Sequence, residues 1–187
     1  MRHGWLRAHL LLRLTAAPRA LRQTIGDEYM AVAGLMPRAP PAAAAAAALL
    51  FALRAHGAAE ACGLRVRAGV HAGPVTSGLI GSVRARFCLF GTTVNVASRL
   101  ESAGAASAVH CSAGTWKLAG LPTSLVPHAP RQLQLKGLAE PMEVCLLPAG
   151  CAEAARAETL LEDVVLEARR APAEAARTDA APNTGAE

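Results

Sequence analysis

The stretch from Arg86 to Gly104, RFCLFGTTVNVASRLESAG, constrains the fold more than any other part of the chain. Phe87 to Phe90 is a short apolar run that suits a strand, Gly91 breaks it, and Thr93 to Ser102 carries a helical pattern closed by Gly104. A strand, a glycine turn and a helix must therefore follow one another within nineteen residues. Asn95 and Arg99 are four positions apart, so they project from one helix face. An amide beside a guanidinium suits a sugar and a phosphate, because the amide fixes a ring or hydroxyl oxygen and the arginine meets phosphoryl oxygens two at a time. An exposed polar helix face would show the same pair.

The flanking segments fit the same architecture. Leu64, Val66, Ala68 and Val70 alternate with Arg65, Arg67 and Gly69, the pattern of a strand with one apolar side. Gly73-Pro74 turns the chain before a second strand, Val75 to Ile80. Tyr29 to Val32 is strand-like and follows a Gly26-Asp27 turn. Ala42 to His56 predicts a helix with Leu49, Leu50 and Leu53 on one face. Val109 to Cys111 predicts a short strand, and Ser112 a helix cap. Leu133 to Lys136 and Val144 to Leu147 predict a last strand pair around Gly137. Lys136 then lies at a strand end beside a glycine, where backbone can approach a ligand closely, although an edge-strand lysine would look the same. Glu153 to Arg170 reads as an exposed helix, and the residues from Pro172 as a disordered tail.

Composition narrows the classes. Hydrophobic residues make up 52 % of the 187, but many are alanine and aromatics are 3 %, so the core is expected to be thin. Scarce aromatics also argue against a single-stranded nucleic-acid binder, despite a net charge of +5. The alanine-rich run ending at Leu53 falls short of the roughly 20 residues that span a bilayer, so no transmembrane segment is expected. Five cysteines without a Cys-x-x-Cys indicate neither a disulfide framework nor a zinc site. An intracellular, cytoplasmic location is the expectation. Residues 1–23 are basic, with five arginines up to position 22 and no acid. They read either as a segment resembling an organelle transit peptide or as a start foreign to the domain.

Four segments in order, TIGDEYMAVAG (24–34), LRVRAGVHAGPVTSGLIG (64–81), RFCLFGTTVNVASRLESAG (86–104) and QLQLKG with PMEV behind it (132–144), resemble the catalytic domain of class III adenylyl and guanylyl cyclases. The resemblance spans about Thr24 to Leu147, with residues 24–148 as a partial catalytic domain and 149–187 as a helical, then disordered tail. It implies an α+β fold: a ferredoxin-like, mostly antiparallel sheet with flanking helices on one side, lacking its first strand and helices. It implies conversion of a nucleoside triphosphate to a cyclic nucleotide and pyrophosphate, with Mg2+ or Mn2+, in a homodimer or in a heterodimer with another cyclase domain. Position by position, Asp27 matches a metal-holding aspartate, Arg67 a phosphate-binding arginine, Cys88 and Gln23 the two base-reading positions, Asn95 the ribose-orienting asparagine, Arg99 the arginine at the α-phosphate and Lys136 the lysine on the triphosphate tail. Cys88 is the guanylyl choice and favours GTP over ATP. Gln23 matches neither kind.

One departure bears on activity. The family's first metal aspartate lies upstream of the Ile-Gly-Asp turn, and no Asp or Glu precedes Asp27 here. Glu28 is adjacent, but on a strand it points to the opposite face. The expectation is a purine nucleotide cyclase impaired on its own. The other reading is a non-catalytic cyclase-like chain that pairs with a complete one.

Overall fold

A computed structural model describes residues 5–12, 21–25, 28–34, 40–80 and 86–178. The elements in chain order are β1 (Trp5–Leu12), β2 (Leu21–Ile25), β3 (Glu28–Val32), α1 (Pro41–Ala61), β4 (Arg65–Ala72), β5 (Thr76–Ile80), β6 (Arg86–Phe90), α2 (Thr92–Ala103), β7 (Ala108–Ser112), α3 (Ala113–Leu118), a 3-10 turn (Thr123–Leu125), β8 (Arg131–Leu133), β9 (Met142–Pro148) and α4 (Ala152–Thr178).

Seven strands make one sheet in the order β2-β3-β1-β4-β7-β9-β8, and β5 and β6 pair apart from it. β1 runs parallel to β3 and to β4, and β4 parallel to β7. The remaining pairs in the large sheet are antiparallel. The α+β class stands, with a more evenly mixed sheet than the expected mostly antiparallel one. The basic stretch read as lying outside the domain supplies β1, at the centre of the sheet. Without it β3 and β4 would each leave a row of backbone donors and acceptors unpaired.

Alternation along β4 sorts the helices onto two faces, where one had been expected. Ala68 and Val70, with Val109, Cys111, Cys145 and Leu147 of β7 and β9, pack under α1, α3 and α4. Arg67 and Gly69 point the other way, toward α2. The leucine stripe of α1 is buried as its spacing predicts: Leu49, Leu50 and Leu53 all lie in the core. Around them most of the buried side chains of α1 are alanine, so each leucine, at roughly 1.5–3 kcal/mol, contributes about two to four times what a buried alanine does. Trp116 is the bulkiest fully buried side chain among the described residues, and its indole N–H donates to the Pro122 carbonyl at 3.2 Å.

Two expectations change. At 21 residues α1 extends past His56, and it is a helix long and apolar enough to cross a membrane. In this fold eleven of those residues are buried within the protein, in the core shared with the sheet, α3 and α4. α4 is not a solvated helix: Ala154, Ala157, Leu161 and Val165 are buried in that core, and Arg54 of α1 pairs with Glu162 at the rim. It continues beyond Pro172 to Thr178.

Candidate active site

The helix that carries Asn95 and Arg99 is held to the sheet by close contact and by a buried ion pair. A side chain at Gly69 of β4 would overlap the Ala97 carbonyl and the Glu101 amide, so only glycine lets α2 lie this near the strand. Two residues earlier on the same face, Arg67 Nε donates to Glu101 Oε1 at 2.9 Å. Glu101 is fully buried, while Arg67 keeps 23 % of its side chain exposed. The Ser102 hydroxyl donates to the other carboxylate oxygen at 3.1 Å. At the start of the helix, the Thr93 hydroxyl donates to the Pro74 carbonyl at 2.7 Å, tying α2 to the turn after β4.

These contacts set the rotation of α2. Thr93, Val96, Ala97, Leu100 and Glu101 face inward. Asn95 is exposed and Arg99 half-buried. Val96 and Leu100 pack with Leu135 and Val144, which brings the β8–β9 connection to the helix.

Lys136 sits in that connection. β8 ends at Leu133, so Lys136 lies in a turn rather than at the end of a strand Leu133–Lys136. The turn is closed by the Leu138 N–H donating to the Leu135 carbonyl at 3.1 Å, and by the Gln134 amide donating to the Leu138 carbonyl at 2.8 Å. Gly137 has φ +77°, where side chains are strained, and a Cβ there would lie 3.0 Å from Arg99 Nη1 and 3.3 Å from Nη2. The turn therefore lies flush against the guanidinium. Arg99 and the turn bearing the exposed Lys136 come together, and Asn95 is one helical turn from Arg99.

The other candidates are placed differently. Arg67 is engaged with Glu101 on the packed face of α2. Cys88 on β6 is half-buried. Its neighbour Leu89 packs with Val32 and Ala97, with Met30 at the margin of that cluster. Gln23 of β2 is the register partner of Met30 of β3. The Gln23 side chain and the whole of Asp27 lie outside the described residues. Glu101 was not singled out in the sequence, whereas Gly137 was, as the place beside Lys136 where backbone can approach closely. Glu101 carries a detectable signal, since it continues the inward spacing of Thr93, Val96, Ala97 and Leu100.

Two cationic side chains and an amide on one surface suit a phosphorylated sugar. A pair of divalent cations is less well served. Among the described residues no three His, Cys, Asp or Glu side chains gather, and Asp27 is the first acid in the sequence.

Residues 15–147 match the family described as the adenylate and guanylate cyclase catalytic domain. The chain is 47 % identical over 105 residues to atrial natriuretic peptide receptor 2 of Homo sapiens, covering 50 % of this chain and 10 % of that receptor. Thus the chain spans about a tenth of the length of that relative. Among solved structures it resembles the guanylate cyclase domain of RhGC from Catenaria anguillulae, a complex with GTP, at TM-score 0.60 and 31 % identity over 70 % of this chain and 72 % of that one. The adenylyl cyclase CyaB from P. aeruginosa shares the fold at TM-score 0.58 and 22 % identity, covering 72 % of this chain and 74 % of that one.

Proposed function

The chain belongs to the adenylate and guanylate cyclase catalytic domain family, and from that membership we propose that it supplies the ribose- and phosphate-binding half of a purine nucleotide cyclase site that prefers GTP. The observation that carries the reading is the Arg99 guanidinium lying against Gly137, beside Lys136. In the reaction the ribose 3′ oxygen loses its proton and bonds to the α-phosphorus, the bond from that phosphorus to the β-phosphate bridging oxygen breaks, and pyrophosphate leaves. Asn95 orients the ribose. Arg99 meets the charge that grows on the α-phosphoryl oxygens, and Lys136 holds the tail that departs. Cys88 and Gln23 face the base, and the thiol of Cys88 supports guanine. Arg67 shapes this site through α2, since its Nε donates to Glu101.

Mg2+ or Mn2+ supplies charge neutralisation in such reactions. Asp27 is the chain's own candidate ligand, and the missing carboxylate would come from a second cyclase domain, a copy or a different chain, in an intracellular, cytoplasmic dimer. The test mixes the full chain with a complete cyclase domain whose corresponding arginine has been removed. Cyclic GMP formation is expected from the mixture, and none when this chain carries Arg99→Ala. Equal output from both mixtures, or silence from both, would end the catalytic reading.

Among the described residues no three His, Cys, Asp or Glu side chains gather for a metal pair, which favours a second reading, a cyclase-like subunit that binds nucleotide without turning it over. In that case the chain binds GTP in calorimetry, Arg99→Ala weakens the binding, and no mixture makes cyclic nucleotide.

A further inference from the structure

A cavity of about 210 Å3 opens between the C-terminal end of α2 and strands β7, β8 and β9. It is smaller than the roughly 300–1,000 Å3 of pockets for drug-sized ligands, so its occupant is small. Ala103 and Val144 form apolar walls, and His110, His128, Arg131 and Gln132 bring polar atoms to it. None of the residues assigned to the nucleotide is among them.

The buried member sets the chemistry. His110 is 6 % exposed, and its Nδ1 lies 2.9 Å from the Leu100 carbonyl. A carbonyl only accepts, so Nδ1 carries the proton and the neutral ring presents Nε2 as a lone pair. Nε2 has no partner among the described residues. Burial and the nearby Arg131 charge both oppose a second proton on the ring. Arg131 and His128 are exposed at the mouth, and Arg131 has no ion-pair partner among the described residues. The cavity thus offers a cationic donor at its mouth and one fixed acceptor at its base.

We infer that this cavity is a binding site for a small oxyanion that keeps an O–H of its own, of the hydrogen phosphate class. The anionic oxygens meet Arg131, with His128 beside it, and the ligand's hydroxyl donates to His110 Nε2. Sulfate has the same shape and charge but no hydroxyl near neutral pH. It would set an oxygen lone pair against the Nε2 lone pair, and the site discriminates against it.

The test uses the full chain with Arg99→Ala and Lys136→Ala, which silences the other anion-binding surface. Sodium phosphate and sodium sulfate are titrated by calorimetry near neutral pH at equal ionic strength. Saturable phosphate binding is expected, about tenfold or more tighter than sulfate, and weakened about tenfold by Arg131→Gln. Phosphate is also expected to shift the His110 Nε2 resonance in nitrogen-detected NMR. Equal affinity for the two anions, no saturable phosphate binding, no effect of Arg131→Gln, or an unmoved Nε2 resonance would each overturn the assignment.

Discussion

Glu101 shows how one side chain can decide what another is for. The family resemblance matches Arg67 to a phosphate-binding arginine, while its place among small and apolar strand residues suits a solvated arginine equally well. Its alternation toward the face of Gly69 was legible, but the carboxylate waiting there was not, because 34 positions separate the two in sequence. Removing one partner of a buried pair leaves the other poorly solvated. Arg67→Met is therefore expected to lower unfolding free energy by about 3 kcal/mol in urea titration, while Lys136→Met, at an exposed turn, stays within about 0.5 kcal/mol. At Gly137 the expected effect falls on binding. Gly137→Ala pushes the Arg99 guanidinium off the Lys136 turn, and GTP affinity measured by calorimetry should fall about tenfold, the loss of one charged hydrogen bond. Unchanged GTP affinity in a folded Gly137→Ala protein would show that the contact does not position Arg99.

Among the elements, α2 and α4 contrast in how well their roles could be read. α2 announces itself by period, with polar Asn95 and Arg99 on one face and apolar Val96, Ala97 and Leu100 on the other. The buried stripe of α4 consists of Ala154, Ala157, Leu161 and Val165, and two alanines in a charged helix give a weak apolar signal. Alanine matters here for size: it lets α4 settle on the alanine-rich α1. Leu161 is fully buried and its neighbour Leu160 is 40 % exposed. Leu161→Ala should cost about 3 kcal/mol in denaturant unfolding, and Leu160→Ala less than about 1 kcal/mol. Equal costs would mean that α4 does not pack through this face.

Across the whole molecule, three histidines tie stability to pH. Burial lowers the pKa of His56, His71 and His110 below the ordinary value of 6.5. His56 adds a buried Nε2 with no hydrogen-bond partner among the described residues. The unfolded chain takes up these protons near 6.5 while the folded chain resists, so the unfolded state binds more protons and stability rises with pH. The contribution is complete above 6.5 and is lost as pH falls below it toward the folded values. Thermal unfolding should show a flat midpoint from about pH 8 to 7 and a decline below about pH 6.5. Replacing His56 by Gln should flatten part of that decline, and an unchanged profile would exclude His56 as a contributor.

Local order was written in the sequence: the β4 alternation, the leucine stripe of α1, the strand, glycine and helix from Arg86 to Gly104, and through them the surface shared by Asn95 and Arg99. Such patterns survive in one dimension because a strand repeats every two residues and a helix about every 3.6. Tertiary structure alone decided that residues 5–12 enter the centre of the sheet, that α2 lies on the opposite face from α1 and α4, that Glu101 claims Arg67, and that Gly137 sets Lys136 beside Arg99. These depend on distant residues meeting, and which surfaces meet is chosen by the burial of whole faces and the pairing of buried polar groups. No local period in a sequence records that choice.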